Sequence, residues 1–396
     1  MDRTILHCDL NNFFASVSLL YNQTLYGLPV AVAGDKENRH GIILAKNELA
    51  KRFGVCTAEP IWQARQKCPE LILLPPIYDR YEEYSRAARE IYGRYTDQVE
   101  PFGIDECWLD VTGSRRLFGS GENIGNLIRR DMKQELGLTV SVGVSFNKIF
   151  AKLGSDLKKP DGLTVIDRQH FRQQLRDLPC EDLLFVGKKT AEQLHSRGIF
   201  TLGELSGLSE EFLAAMLGKS GRDLYRFVQG EDHSPVRFAD EQTPPKSIGR
   251  SQTTARDLTS PGEIYGAFLR YSEEIVRDLR KYRLVAAGVQ ITLRTPDLAV
   301  RECSATLDTP TDVAETLAKK GMELLRQKGF SETVFRSVGI RATRLRDASC
   351  ARQQTLFSKD REERSRRLED TLFSIREKYG ESAVFRCPAA RFSDRA

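Results

Sequence analysis

Apolar positions along this chain alternate in some stretches and recur every three to four residues in others. The opening RTILHCDL reads as a short strand ending in Asp9, and NNFFASVSLLYN after it carries Phe13, Val17 and Leu20 at helical spacing. In YDRYEEYSRAAREIYGRY, Tyr81, Tyr84, Ala88, Ile91 and Tyr95 recur every three to four places, which predicts an amphipathic helix with its tyrosine stripe in a core. CWLDV predicts a strand, NIGNLIRRDMKQEL a helix stopped by Gly137, and LTVSVGVS a half-buried strand through Val140, Val142 and Val144. This is a βαβ pattern with helices backing a sheet. SFNKIFAKLGSDLKKPDGLTVI adds a helix, a Pro-Asp-Gly turn at 160–162 and one more strand.

From about 169 to 233 the pattern is helical with short breaks. VGKKTAEQLHSRGI and LGKSGRDLYRFVQG each set Gly and Lys just ahead of an amphipathic helix, where backbone N–H groups can hold a phosphate. An ordinary helical packing unit accounts for either one equally well. DEQTPPKS reads as an interdomain tether. Beyond it the order is strand 246–256, helix 260–283, strand 285–295, strand 300–307, helix 311–328 and strand 333–345. That βαββαβ order predicts a sheet with both helices on one face. Ser260, Pro261 and Glu263 compose a capped helix start. In VAAGVQITLRT the polar Gln290, Thr292 and Arg294 alternate with Val289, Ile291 and Leu293, leaving a polar sheet face open. The remaining segment reads as a connector and then a helix over 361–379.

Composition adds scale. With 396 residues and 40% hydrophobic content there is material for three or four domains. The net charge of +5 says little about partners, but residues 246–346 hold 18 Lys and Arg against 12 Asp and Glu. A basic open sheet face suits a phosphate backbone, or is merely solvated. From 358 onward 10 basic residues nearly cancel 8 acidic ones, so the end of the chain is no basic tail. The eight cysteines show no C-x-x-C pair or zinc-type Cys/His spacing and read as reduced, mostly buried thiols. No charged leader or long apolar run is present, and we expect a soluble cytoplasmic protein that makes no membrane contact.

The candidate chemistry is acidic. Asp105 and Glu106 interrupt VEPFGIDECWLD, which otherwise reads as buried, and unpaired carboxylates are costly there. A solvated turn is the plain reading. The alternative is that Asp9 and this pair lie on neighbouring strands and meet. Adjacent side chains on a regular strand point to opposite faces, so Asp105 and Glu106 converge only at an irregularity such as the preceding PFG. Hard divalent cations take oxygen ligands, and two of them roughly 3.5–4 Å apart clamp the oxygens of a displacement at phosphorus.

HCDLNNFFASV, RFGVCTAEPIWQARQKCP, VEPFGIDECWLDVTGS, VGVSFNKIFAKLGSDLKKPDG and KSIGR stand in the order and spacing of the Y-family translesion DNA polymerases, and resemble most the bacterial DNA polymerase IV branch. The resemblance spans about residues 4–346. It implies an α+β multidomain, right-hand polymerase: palm 1–10 and 79–168, fingers 11–78, a helical thumb 169–235 with helix-hairpin-helix elements, a linker 236–245, a βαββαβ little finger 246–346, and a tail 347–396. It implies error-prone, template-directed synthesis by a monomer on primer-template DNA, with two Mg²⁺ assisting attack of the primer 3′-OH on the α-phosphate of a dNTP. Asp9, Asp105 and Glu106 match the metal-binding acids, with the Leu10 carbonyl beside them. Phe14 matches the steric gate that excludes ribonucleotides. Phe13, Phe14, Lys51 and Lys159 match the triphosphate surroundings. DNA contacts are expected at Gly187, Lys188, Lys189 and Lys219, and at Ser247, Gly249, Arg250, Arg294 and Arg341. QQTLF, with Gln353, Leu356 and Phe357, resembles the peptide by which bacterial polymerases bind the sliding clamp.

Two departures stand out. Ala45, Glu48 and Lys51 replace the usual Thr or Ser, Tyr and Arg of the fingers, and Lys51 supplies charge without a bidentate fork. Phe185 stands where Gly is expected before Val186 and Gly187. A nucleotide cyclase is one rival reading. The other is a DNA- and clamp-binding scaffold without catalysis, which Glu48 keeps open because an acid repels a triphosphate.

Overall fold

The computed structural model describes residues 2–35, 41–241, 244–330, 334–349, 359–380, 383–384 and 386. The chain divides into two compact units, Met1–Gly34 with Gly41–Glu241, and Asp35–His40 with Gln242–Ala396.

The first unit is organised on a five-stranded sheet in the order Val99–Pro101, Glu106–Asp110, Ile5–Leu10, Val140–Ser145, Leu163–Ile166. Ile5–Leu10 is antiparallel to both neighbours. Those neighbours therefore run parallel to each other, with the Gly121–Asp131 helix in the crossover between them. That helix is extended by a π-type turn, Met132–Leu136, before Gly137 ends it in the left-handed region. Alternation divides the central strand by face. Leu6, Cys8 and Leu10 join Cys107, Leu109 and Val142 in a core shared with Tyr81, Ile91, Ile124 and Ile128 of the backing helices. Ile5, His7 and Asp9 face the other way, toward helix Lys148–Leu157.

A close approach of backbones sets that helix down on the sheet. A Cβ on Gly143 would lie 1.9 Å from the Ala151 carbonyl oxygen and 2.5 Å from the Ser155 nitrogen. Only glycine lets the helix lie this near the strand. The helix starts at Asn147, whose side chain accepts from the Phe150 N–H, and the chain continues into Leu163–Ile166, parallel to Val140–Ser145.

Two smaller bodies complete this unit. Strands Ile43–Lys46, Val30–Ala33 and Ile72–Leu74 form a sheet that shares a core with the short helices Glu48–Arg52 and Ile61–Lys67. Helices Lys188–His195, Leu202–Ser206, Glu210–Leu217 and Lys219–Val228 pack around a core that includes Phe146 and Phe150.

The second unit is an antiparallel sheet in the order Val300–Thr311, Leu284–Arg294, Phe335–Asp347, Ile248–Leu258. Helices Pro261–Lys281 and Ala314–Gln327 cover one face through Phe268, Ile275, Leu317 and Leu325 against Val289, Ile291 and Leu293. The Ser260 and Glu263 capping box is present with Pro261 in the first turn. The βαββαβ order read from the pattern holds. Helix Lys359–Tyr379 docks on the same two helices by charge: Arg376 donates to Glu273 (2.7 Å), Arg280 to Asp370 (2.8 Å), and Glu369 accepts from the Ala314 N–H (2.9 Å). Glu273 and Glu369 are both buried. Among the described residues no helix is long and apolar enough to cross a membrane.

Substituting Gly143→Ala should lower unfolding free energy by about 1–3 kcal/mol or more, because helix and strand must separate. Urea denaturation checks this; an unchanged midpoint would mean that the close approach is not rigid.

Candidate active site

Asp9 and Glu106 are direct cross-strand partners in the antiparallel ladder. Asp105 precedes that strand in the turn after Pro101, where the Phe102 N–H bonds the Glu106 carbonyl (2.9 Å) and the Leu10 N–H bonds the Asp105 carbonyl (3.1 Å). The stretch from Phe102 to Asp105 is thus the bend between two strands, and the irregularity lies immediately before Glu106 as the sequence suggests. Like charges gather here. Burial, then Asp9 and Glu106, push the Asp105 carboxyl up to about 6.

Lysines answer that charge. Lys152 Nζ lies between two acids, 3.1 Å from Asp9 Oδ2 and 3.0 Å from Glu106 Oε1. Lys159 Nζ sits 2.7 Å from the same Asp9 oxygen and 2.7 Å from Asp156. Burial alone would lower the Lys152 pKa, but Asp9, Asp156 and Glu106 outweigh it and raise it. The trio's carboxylate oxygens do not all lie within 4.8 Å of one another; an ammonium separates Asp9 from Glu106 instead.

Sequence reasoning singles out neither Lys152 nor His7. Lys152 shares a helical face with Lys148 and Asp156, a mixed-charge stripe on a largely apolar helix, and Lys159 follows just past its end. His7 lies two residues before Asp9 and therefore on its face. The buried His7 ring holds Ser155 Oγ at 2.8 Å through Nδ1 and directs Nε2 to 3.4 Å from Glu106 Oε2. Burial, then Lys152, push its pKa down to about 3, so the ring is neutral.

Phe14 lies flat on Tyr81, with centroids 4.1 Å apart and planes at 8°, while Phe13 is buried beneath. The preceding Asn12 is left-handed (φ 50°) and donates to Glu48 Oε1 at 3.1 Å. Lys51 lies 3.8 Å from that same oxygen. Asn12 and Lys51 thus engage the unexpected acid. Lys46, close by in sequence, bonds Thr57 instead.

Other residues read as DNA contacts divide by place. Gly187, Lys188, Lys189 and Lys219 are exposed at helix starts. Phe185 beside them has φ 74° and is 65% exposed. That left-handed backbone is why glycine is expected there, and a bulky residue costs about 1–2 kcal/mol. In the second unit, Arg341 lies over Gly249 and donates to Ser247 Oγ (3.0 Å). Arg294 is exposed at its strand end. Arg250 needs correcting: the pleat turns it to the helix-covered face, where Glu274 (3.2 Å) and Asp278 (2.5 Å) hold its guanidinium. Gln353, Leu356 and Phe357 lie outside the described residues.

The impB/mucB/samB family model matches residues 8–156, and that family's C-terminal domain matches 245–356. DNA polymerase IV of Acetivibrio thermocellus is 45% identical over 388 residues, 98% of this chain and 97% of that protein. The chain belongs to this family, the Y-family DNA polymerases of the DNA polymerase IV branch. DNA polymerase IV 1 of Bacillus subtilis is 36% identical over 387 residues, 96% of this chain and 92% of that protein. A Y-family DNA polymerase chimera of known structure shares the fold, with a TM-score of 0.75 and 24% identity over 87% of this chain and 99% of that one. The cyclase reading is thereby set aside for a Y-family polymerase.

The Asp105 shift has a stability consequence for this polymerase. A carboxyl with a raised folded-state pKa contributes fully at low pH, and its contribution is lost as pH rises through about 6. In chelator, Asp105→Asn should therefore raise the melting midpoint by a few degrees at about pH 7.5, with a smaller gain near pH 4.5. A gain that is equal at both pH values would show that Asp105 is not under charge pressure.

Proposed function

We propose that this chain performs error-prone, template-directed nucleotidyl transfer for lesion bypass, joining dNTPs to a primer 3′-OH at the Asp9, Asp105 and Glu106 cluster. The observation that carries the reading is the buried ammonium of Lys152 between Asp9 and Glu106, beside an Asp105 carboxyl that burial, and then Asp9 and Glu106, keep from ionising readily. Crowded carboxylates of this kind would be neutralised by hard divalent cations. The donors are all oxygen, which suits Mg²⁺. When bound, two such ions supply the Lewis acidity that activates the hydroxyl and stabilises the pyrophosphate leaving oxygens.

The chain's own groups set the rest. Asp9, Asp105, Glu106 and the Leu10 carbonyl would hold the ions. Lys159, on the Asp9 side of the cluster, and Lys51, at the small sheet, are the cations for the triphosphate. Pairing of Glu48 with Asn12 and Lys51 reduces the repulsion that favoured a non-catalytic scaffold. Phe14, stacked on Tyr81, would act as the gate against a ribose 2′-OH. Lys188, Lys189, Lys219 and Arg341 would contact DNA phosphates, giving salt-sensitive affinity. Gln353 to Phe357 would tether the polymerase to a sliding clamp.

Primer extension with Mg²⁺ tests the reading. Asp105→Ala or Glu106→Ala should cut single-nucleotide addition by at least about 100-fold, comparable to loss of a major electrostatic group, with DNA affinity retained. DNA binding by the unaltered chain without any nucleotide addition would restore the scaffold reading. Phe14→Ala should admit ribonucleotides, and undiminished discrimination would remove Phe14 from the gate.

A further inference from the structure

Away from the acidic cluster, the helical part of the first unit brings three different ligand atoms together. Cys180 Sγ lies 3.7 Å from His195 Nε2 and 3.5 Å from Glu181 Oε2, and His195 Nε2 lies 3.3 Å from that same oxygen. Among the described residues this is the group of His, Cys, Asp and Glu whose ligand atoms all lie within 4.8 Å of one another. Nucleotidyl transfer at the Asp9, Asp105 and Glu106 cluster makes no use of it.

The triangle has the dimensions of a coordination sphere. Zinc binds sulfur at about 2.3 Å and nitrogen or oxygen at about 2.0–2.1 Å; at tetrahedral angles the S–N and S–O edges become about 3.5–3.6 Å and the N–O edge about 3.3–3.4 Å. All three observed edges agree with these to about 0.2 Å. Hydrogen bonding explains the sulfur less well. Its one proton faces Glu181 Oε2, His195 Nε2 and the Ile199 carbonyl at 3.8 Å, and it can serve only one of them.

The scaffold around the triangle is independently held. The Cys180 N–H donates to the Phe200 carbonyl (2.8 Å), and Pro179 bridges to Thr201, which opens a helix with a full capping box. The His195 ring stacks on Phe200 at 5.0 Å. Cys180 is fully buried, whereas the His195 and Glu181 side chains are 34% and 45% exposed, which leaves a fourth position open to water.

We propose that Cys180, Glu181 and His195 form a site for a borderline-soft divalent cation of the zinc class, clipping together the two ends of the segment that carries Gly187, Lys188 and Lys189. Thiolate and imidazole ligands select against Mg²⁺. Binding releases the thiol proton to solvent. Joining the ends of the segment restrains the hairpin tip between them, so the clip's function is to hold those lysines in one arrangement.

Cobalt(II) is the probe, because a thiolate ligand gives it a charge-transfer band that oxygen-only sites do not. The full chain, stripped by chelator, should develop that band and intense tetrahedral visible bands saturating at one equivalent of Co²⁺. Zn²⁺ should bleach both and Mg²⁺ neither. Cys180→Ser should abolish the charge-transfer band and Cys56→Ser should keep it. His195→Ala, at a partly exposed position, should lose one-equivalent binding while melting like the unaltered metal-free chain, so the test does not depend on how the buried Cys180→Ser folds. With excess Mg²⁺ present to occupy the acidic cluster, Zn²⁺ should raise the melting midpoint of the unaltered chain and not that of His195→Ala. Absence of a thiolate band, or a band that survives in His195→Ala, overturns the site.

Discussion

Repulsion among carboxylates is the constraint around which the first unit is arranged. Register places Asp9 opposite Glu106, and a turn brings Asp105 to the same end of the sheet. No apolar packing tolerates three such charges unaided. The compensation comes from Lys152, delivered by a helix that can approach only because Gly143 has no side chain, and from Lys159 just beyond that helix's end. The site's electrostatics therefore depend on a steric fact at the middle of a neighbouring strand. His7 and Ser155 extend the same contact, tying the sheet's charged face to the helix behind Lys152.

What could be read in the sequence was local. The strand ending at Asp9, the tyrosine stripe of Tyr78–Gly93 and the Ser260 capping box are all written within a few residues and form as read, whereas Val140–Ser145, which alternates like a half-buried strand, is buried at every position because the sheet is covered on both faces. The acids were legible because an Asp-Glu pair in a buried run demands an explanation. What escaped was long-range. Lys152 meets Asp9 across 143 positions and His7 meets Ser155 across 148; nothing in either neighbourhood names the partner. Arg250 was misplaced for a different reason. Its neighbours Ser247 and Gly249 stand on the open face, and the period of two sends Arg250 to the other, into the carboxylates of a helix.

The departures from the family pattern also become physical. Glu48 is not a charge facing a triphosphate alone, since Asn12 and Lys51 share it. Phe185 occupies a backbone conformation suited to glycine, so the hairpin tip keeps its shape at a cost that the surrounding helical core carries. The clip proposed at Cys180, Glu181 and His195 would act on that same hairpin. In the second unit, buried carboxylates help seat the last helix beside the buried Leu372, Glu273 by accepting from Arg376 and Glu369 by accepting from the Ala314 N–H.

The central claim is that divalent cations relieve the acidic crowding, and proton release on metal binding tests it most directly. Calorimetric titration of Mn²⁺ into the chain, run near pH 6 in buffers of different ionisation enthalpy, should show roughly half a proton leaving per protein as Asp105 is forced to ionise. The release should fade by about pH 8 and be absent in Asp105→Asn. Metal binding with no proton release at either pH would contradict the account, because the carboxylates would then have been under no mutual pressure.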